Sequence, residues 1–298
     1  MSSISKEKPT LTRQSDWELD FYSRPILEAD GKKRWELLIT SSEIQKGEKN
    51  FKWEKRCPAG EVNSIWLSLA LEEALKDAKE QGWESPLRLR CWRTSMKTMI
   101  TKAAIKVGIE VISSRRTFSL IDWLSQREKD FYPKQDGYIT GPIAPLPEQI
   151  RNQPEPLPEA VRGDAWSFAW LPLGTLLEAE EWPIEFSGLI PIKENYDLSI
   201  PIPGLRLFSK TRALALAGWL GGLEPVKLTL EGNQLLLEAG QDDRWLVTDM
   251  TKQSSEQAKQ RLITSREQAG GIQFISVQTT PKEEKFTGFW MLRDIAGY

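Results

Sequence analysis

Between residues 85 and 118 the chain carries eight cations, Arg88, Arg90, Arg93, Lys97, Lys102, Lys106, Arg115 and Arg116, against one acid, Glu110. That local balance of +7 stands inside a chain of net charge −2. Arg88, Arg90 and Trp92 alternate, so a strand here puts all three on one face. Cations beside an indole suit single-stranded RNA, which is held by phosphate contacts and base stacking. A plainer reading competes with this one. The lysines fit a solvated helix face, and the strand arginines can pair with carboxylates such as Glu18 and Asp20.

Asp20, Glu73 (or its neighbour Glu72) and Asp122 form a second constellation. A two-Mg²⁺ nuclease of the ribonuclease H type needs about four carboxylates on its metals. The place where a further acid is expected reads Trp92-Arg93-Thr94-Ser95, and a cation there repels metal. The carboxylate set is therefore incomplete, and no metal or cofactor is expected. There is no histidine in the 298 residues. This excludes Ser-His and Cys-His nucleophile pairs, imidazole acid–base chemistry and every His-containing metal site. Two cysteines, Cys57 and Cys91, build neither a disulfide framework nor a four-thiolate zinc site. The glycines at 218, 221 and 222 lack the Lys-Ser/Thr of a phosphate loop and read as a helix stop. Most of the 13 tryptophans fall at core positions of strands, among them Trp17, Trp35, Trp53, Trp166 and Trp170. Trp92 and Trp290 are the candidates for stacking on a base.

The elements that must position these residues follow from periodicity. Alternating apolar residues predict strands over 17–26, 33–40 and 50–57, the first two joined at Asp30-Gly31. A helix over 63–81, a strand over 87–92, a helix over 95–107, a strand over 109–113 and a helix over 118–131 follow. Three meandering strands and then right-handed crossovers predict a mixed five-stranded sheet, the order of elements of ribonuclease H-like domains. Seven of the 18 prolines lie within 133–158, which reads as a semi-rigid linker. The expected organisation is a first domain over 1–133, a linker over 134–162 and an α/β (α+β) second domain over 163–298. Strands are expected there over 165–173, 186–192, 226–230, 234–238, 244–250, 272–279 and 287–293, with helices over 209–220 and 252–268.

Residues 1–150 are net +3 and residues 151–298 net −5. No apolar stretch is long enough for a bilayer span. The polar opening residues contain no signal core, so a cytoplasmic protein is expected.

The opening WELDFYSRPILEADGKKRWELLI, the stretch RLRCWRTSM from Arg88 and the tail Gly288-Phe289-Trp290-Met291-Leu292 resemble the Tab family of RNA-binding proteins of oxygenic phototrophs. The resemblance implies binding to the untranslated leader of a photosystem message and promotion of its translation. It also implies a role for a Trp-Leu-Leu tripeptide, which here falls on Trp290, Met291 and Leu292. The same alternation fits a buried strand equally well. The leading expectation is thus a non-catalytic binder of single-stranded RNA, in which Arg88, Arg90, Trp92, Arg93, Lys97, Lys102, Arg115, Arg116 and the tail make the contacts and a protein partner in translation is possible. The rivals are a Mg²⁺-dependent nuclease using Asp20 and a protein-binding photosystem assembly factor using the acidic second half. The RNA reading requires the cationic ridge to lie open to solvent.

Overall fold

The computed structural model describes residues 16–42, 50–140, 152–190, 192 and 196–295. The first half is built from β1 (Trp17–Leu27), β2 (Lys33–Ser41), β3 (Lys52–Cys57), α1 (Ser64–Glu80), β4 (Arg88–Cys91), α2 (Lys97–Lys106), β5 (Glu110–Ser113) and α3 (Phe118–Gln126). The strands form one mixed sheet in the order β3-β2-β1-β4-β5, with β4 and β5 parallel to β1. Gly31, at φ +75°, turns β1 back onto β2. The Asn63 side chain accepts from the amides of Ile65 and Trp66 and caps α1.

The two faces of this sheet differ in chemistry. One buries Trp17, Leu19, Phe21, Leu37, Ile39 and Leu89 beneath α1 and α2. Strand alternation turns Glu18, Asp20, Glu36, Thr40 and Arg90 to the other face, where all five are also buried. That polar face is covered by α3 and by the second half of the chain. Its groups must therefore satisfy one another.

The second half comprises β6 (Glu155–Pro156), β7 (Ala165–Pro172), α4 (Leu173–Leu176), β8 (Phe186–Gly188), β9 (Pro201–Phe208), α5 (Ala213–Leu223), β10 (Pro225–Glu231), β11 (Gln234–Ala239), β12 (Asp243–Asp249), α6 (Lys252–Gln268), β13 (Ile272–Gln278) and β14 (Gly288–Arg293). Two sheets result, ordered β10-β11-β12-β6 and β7-β9-β13-β14-β8. Leu205, Leu207, Leu216, Leu220, Leu228, Leu237 and Ile275 share the core that joins them around α5.

Several expectations are corrected. The strand expected over 186–192 is only Phe186–Gly188, and the helix expected over 209–220 runs Ala213–Leu223. β9 was not expected at all, yet it lies inside its sheet between β7 and β13. The proline-rich stretch is structured at its end, where β6 pairs with β12; residues 141–151 of it lie outside the described residues.

Candidate nucleic-acid interface

The arginines of the basic cluster do not form an open ridge; most of them line the seam between the halves. Arg90 donates from Nε and Nη2 to the two carboxylate oxygens of Glu224, at 2.5 and 2.9 Å. Arg88 holds Asp16 at 2.5 Å and lies 3.8 Å from Glu224. Arg115 pairs with Glu238 at 3.0 Å, and its amide donates to the Gly240 carbonyl. Arg116 donates to three carbonyls of the second half, Pro225, Gly188 and Met291. Arg93 donates to Asp20 at 2.6 Å, with its guanidinium over the rings of Trp92 and Tyr22. The plainer expectation, that the strand arginines Arg88 and Arg90 pair with sheet carboxylates such as Glu18 and Asp20, holds in kind but with other acids: both arginines are taken by Asp16 and Glu224, while Asp20 is held by Arg93 and Arg24. The seam's own acids come from far along the chain, which is why the local charge of +7 is no guide to exposure.

The expected stacking groups are buried too. Trp92, 4% exposed, packs with Leu38, Leu120 and Leu124. Trp290, Met291 and Leu292 lie on β14, an interior strand between β13 and β8, and are at most 3% exposed. Of the candidate contacts, Lys97 and Lys102 are exposed, as is Lys106 beside them on α2. Arg88 keeps 37% of its side chain in solvent.

The carboxylates of the nuclease alternative do not converge. Asp20 is buried between Arg24 and Arg93. Burial would push its carboxyl up, but Arg93 and Arg24 outweigh this and hold it below its ordinary value. Glu73, exposed on α1, pairs with Lys55. Asp122, on α3, pairs with Arg293. Burial raises the thiols of Cys57 and Cys91 to about 12 and about 11, so neither is a ready nucleophile.

What the seam does contain is a cleft of about 350 Å³, lined by Glu18, Ser42, Arg88, Arg90 and Arg116 from the first half and by Phe186, Gly188, Gly221, Glu224 and Trp290 from the second. Glu18 lies at its inner end, 2% exposed. It accepts from the Leu120 amide at 2.7 Å. Burial raises its carboxyl to about 8, against the opposing pull of the Leu120 amide and Arg90, so it keeps its proton at neutral pH. Glu224 behaves oppositely. Burial acts to raise it, yet the Arg90 hydrogen bonds and charge hold it below its ordinary value. It sits at the end of α5 with φ +58°, alone among the described non-glycine residues in the left-handed region. A backbone held there costs of order 1 kcal/mol and points to a fixed role.

Sequence reasoning did not single out Glu224, Phe186 or the inner position of Glu18. The glycines of α5 are the one signal the sequence offers here, and they lie inside the helix rather than stopping it. A Cβ at Gly218 or Gly221 would stand 3.6–3.8 Å from the Phe186 ring, so these glycines keep the cleft open.

Comparison with known proteins assigns both halves. Residues 16–127 match the family described as RNA-binding protein Tab2/Atab2 N terminal, and residues 145–293 match RNA-binding protein Tab2/Atab2, C-terminal domain. The chain is 31% identical over 290 residues to "Protein TAB2 homolog, chloroplastic" of Zea mays, covering 94% of this chain and 72% of that one. It is 30% identical over 293 residues to the protein of the same name from Arabidopsis thaliana, covering 94% and 75%.

Proposed function

The chain belongs to the Tab2/Atab2 family of RNA-binding proteins, and on that premise we propose that it binds single-stranded RNA, an mRNA leader, without turnover, and promotes the translation or biogenesis of photosystem proteins. The observation that carries this reading is that both halves match the family, so the unit joined at the seam is the family's unit. The strand order β3-β2-β1-β4-β5 supports a ribonuclease H-like sheet that holds RNA. The pairing of Asp20, Glu73 and Asp122 with separate cations supports a role without hydrolysis. Among the described residues no helix is long and apolar enough to cross a membrane. The action belongs in the cytoplasm, where Cys57 and Cys91 stay as free thiols. A protein partner in translation fits the acidic second half.

The phosphate contacts belong to the exposed cations, not to the buried arginines. Lys97, Lys102 and Lys106 are exposed along α2, on the side of the sheet away from the cleft, with Lys102 and Lys106 one turn apart on a shared face and Lys97 at the helix start on the other flank. The test is a titration of labelled leader RNA at rising salt. Lys97→Glu, Lys102→Glu and Lys106→Glu together should weaken binding at least about tenfold and flatten the salt slope by roughly 0.7 per lost phosphate contact. Equal affinity and equal slope would move the contacts elsewhere. No RNA binding by the parent would overturn the reading itself.

A further inference from the structure

The cleft at the seam is graded from mouth to floor. At the mouth stand Arg88, 37% exposed, and Phe186, 36% exposed. At the floor lies Glu18, with Ser42 hydrogen-bonded beside it. One wall is the helix α5, where Gly218 and Gly221 place no side chain against the ring of Phe186. We propose that this cleft holds one nucleotide of a bound RNA single strand, its base turned inward against the exposed ring of Phe186 and its phosphate left at the mouth beside Arg88. The inference rests on the RNA-binding reading and adds to it a site and an orientation.

Size, shape and charge argue for this occupant. A volume near 350 Å³ lies at the lower end of the range for small-ligand sites, roughly 300–1,000 Å³. An exposed aromatic ring with a few polar groups at the inner end suits a base, which offers a face to stack and one hydrogen-bonding edge. Glu18 holds its proton at neutral pH, so its carboxyl can both donate and accept toward that edge, and it places no full negative charge before a phosphate-bearing ligand. The inner cations are already engaged. Arg90 is spent on Glu224 and Arg116 on three carbonyls. Arg88 is the partly exposed cation of the lining and is itself paired with Asp16, so a phosphate at the mouth shares its guanidinium with that carboxylate. A base in a duplex cannot enter such a cleft, whereas a splayed base in a single strand can.

The test uses the full chain and a random-sequence single-stranded RNA pool substituted with 4-thiouridine. After photo-crosslinking, attached nucleotides should map by mass spectrometry to the cleft lining, Phe186 foremost. Gly221→Leu puts a side chain between Phe186 and Trp290, and leucine favours a helix over glycine. It should abolish those crosslinks and weaken RNA about tenfold, the loss of one stacked base, with a melting temperature no lower than the parent's. Phe186→Ala, at a partly exposed ring, should act in the same direction and serves should Gly221→Leu fail to fold. Crosslinks that map elsewhere, with both variants binding RNA as the parent does, would overturn the cleft while leaving RNA binding intact. A parent that binds no RNA would overturn both.

Discussion

Arg90 on β4 and Glu224 at the end of α5 face each other in a two-pronged ion pair, though 134 residues separate them in sequence. Each is buried, and each belongs to a different half of the chain. A two-pronged pair fixes direction as well as distance, so this contact sets how the two halves meet.

Arg90→Ala should therefore destabilise the protein by about 3–5 kcal/mol, because it leaves the Glu224 carboxylate buried without its partner. Glu224→Ala should cost a similar amount. The double replacement should cost much less than the two together, since neither charge is then stranded. Glu224→Gly should be milder than Glu224→Ala, because glycine takes φ +58° without strain. Urea denaturation of the four variants checks all of this. Simple additivity would show that the pair does not act as a unit.

The same pair shows where legibility stopped. Periodicity located the five strands and three helices of the first half because each element repeats on its own scale. It also placed Arg88, Arg90 and Trp92 on one face correctly. It could not tell that this face is roofed, since α3 covers Trp92 and the second half of the chain covers the two arginines. Net local charge is a statement about neighbours in sequence, whereas burial is decided by neighbours in space. Asp20, Glu224 and Glu238 neutralise a cluster that in sequence looks open.

β9 was missed for a different reason. Its sequence, Pro201-Ile202-Pro203-Gly204, carries the residues that usually break strands. In place, Pro201 and Pro203 lie near its start, paired with β7. Gly204 is needed because the Phe274 ring lies 2.4 Å from where its Cβ would be. A breaker on the local scale is here a requirement of packing. The tail went the other way: its alternation fitted both a stacking motif and a buried strand, and the structure places it on an interior strand.

Asp20 separates a catalytic carboxylate from a structural one. It receives hydrogen bonds from Arg24 at 2.7 Å and Arg93 at 2.6 Å, and all three side chains are buried. Asp20→Asn removes the charge that both guanidinium groups face, so it should cost about 3–5 kcal/mol in stability. Mg²⁺ should not raise the melting temperature of the parent, because Asp20 is already committed. A Mg²⁺-induced rise in melting temperature that Asp20→Asn abolishes would restore the nuclease reading.

Glu18 gives the pH dependence its sign. Its carboxyl titrates near 4.5 when unfolded and about 8 when folded. Between those values the native state holds a proton that the unfolded chain has released. Stability is thus fully present below about pH 4.5 and is lost as pH rises toward 8, by at most about 1.4 kcal/mol per pH unit. Asp20 and Glu224, both lowered, change their contributions only at more acid pH. Glu128, raised by partial burial, adds at the acid end of the window. The chain has no histidine to confuse the middle of it. Glu18→Gln keeps a side-chain oxygen to accept from the Leu120 amide but cannot ionise. The variant should lose most of the fall in stability seen in the parent from pH 5.5 to 8, a window inside that of the raised carboxyl. Thermal melts at matched ionic strength across this window decide the point. A parent and variant with parallel profiles would mean that Glu18 is already ionised at neutral pH, and the floor of the cleft would then carry a negative charge.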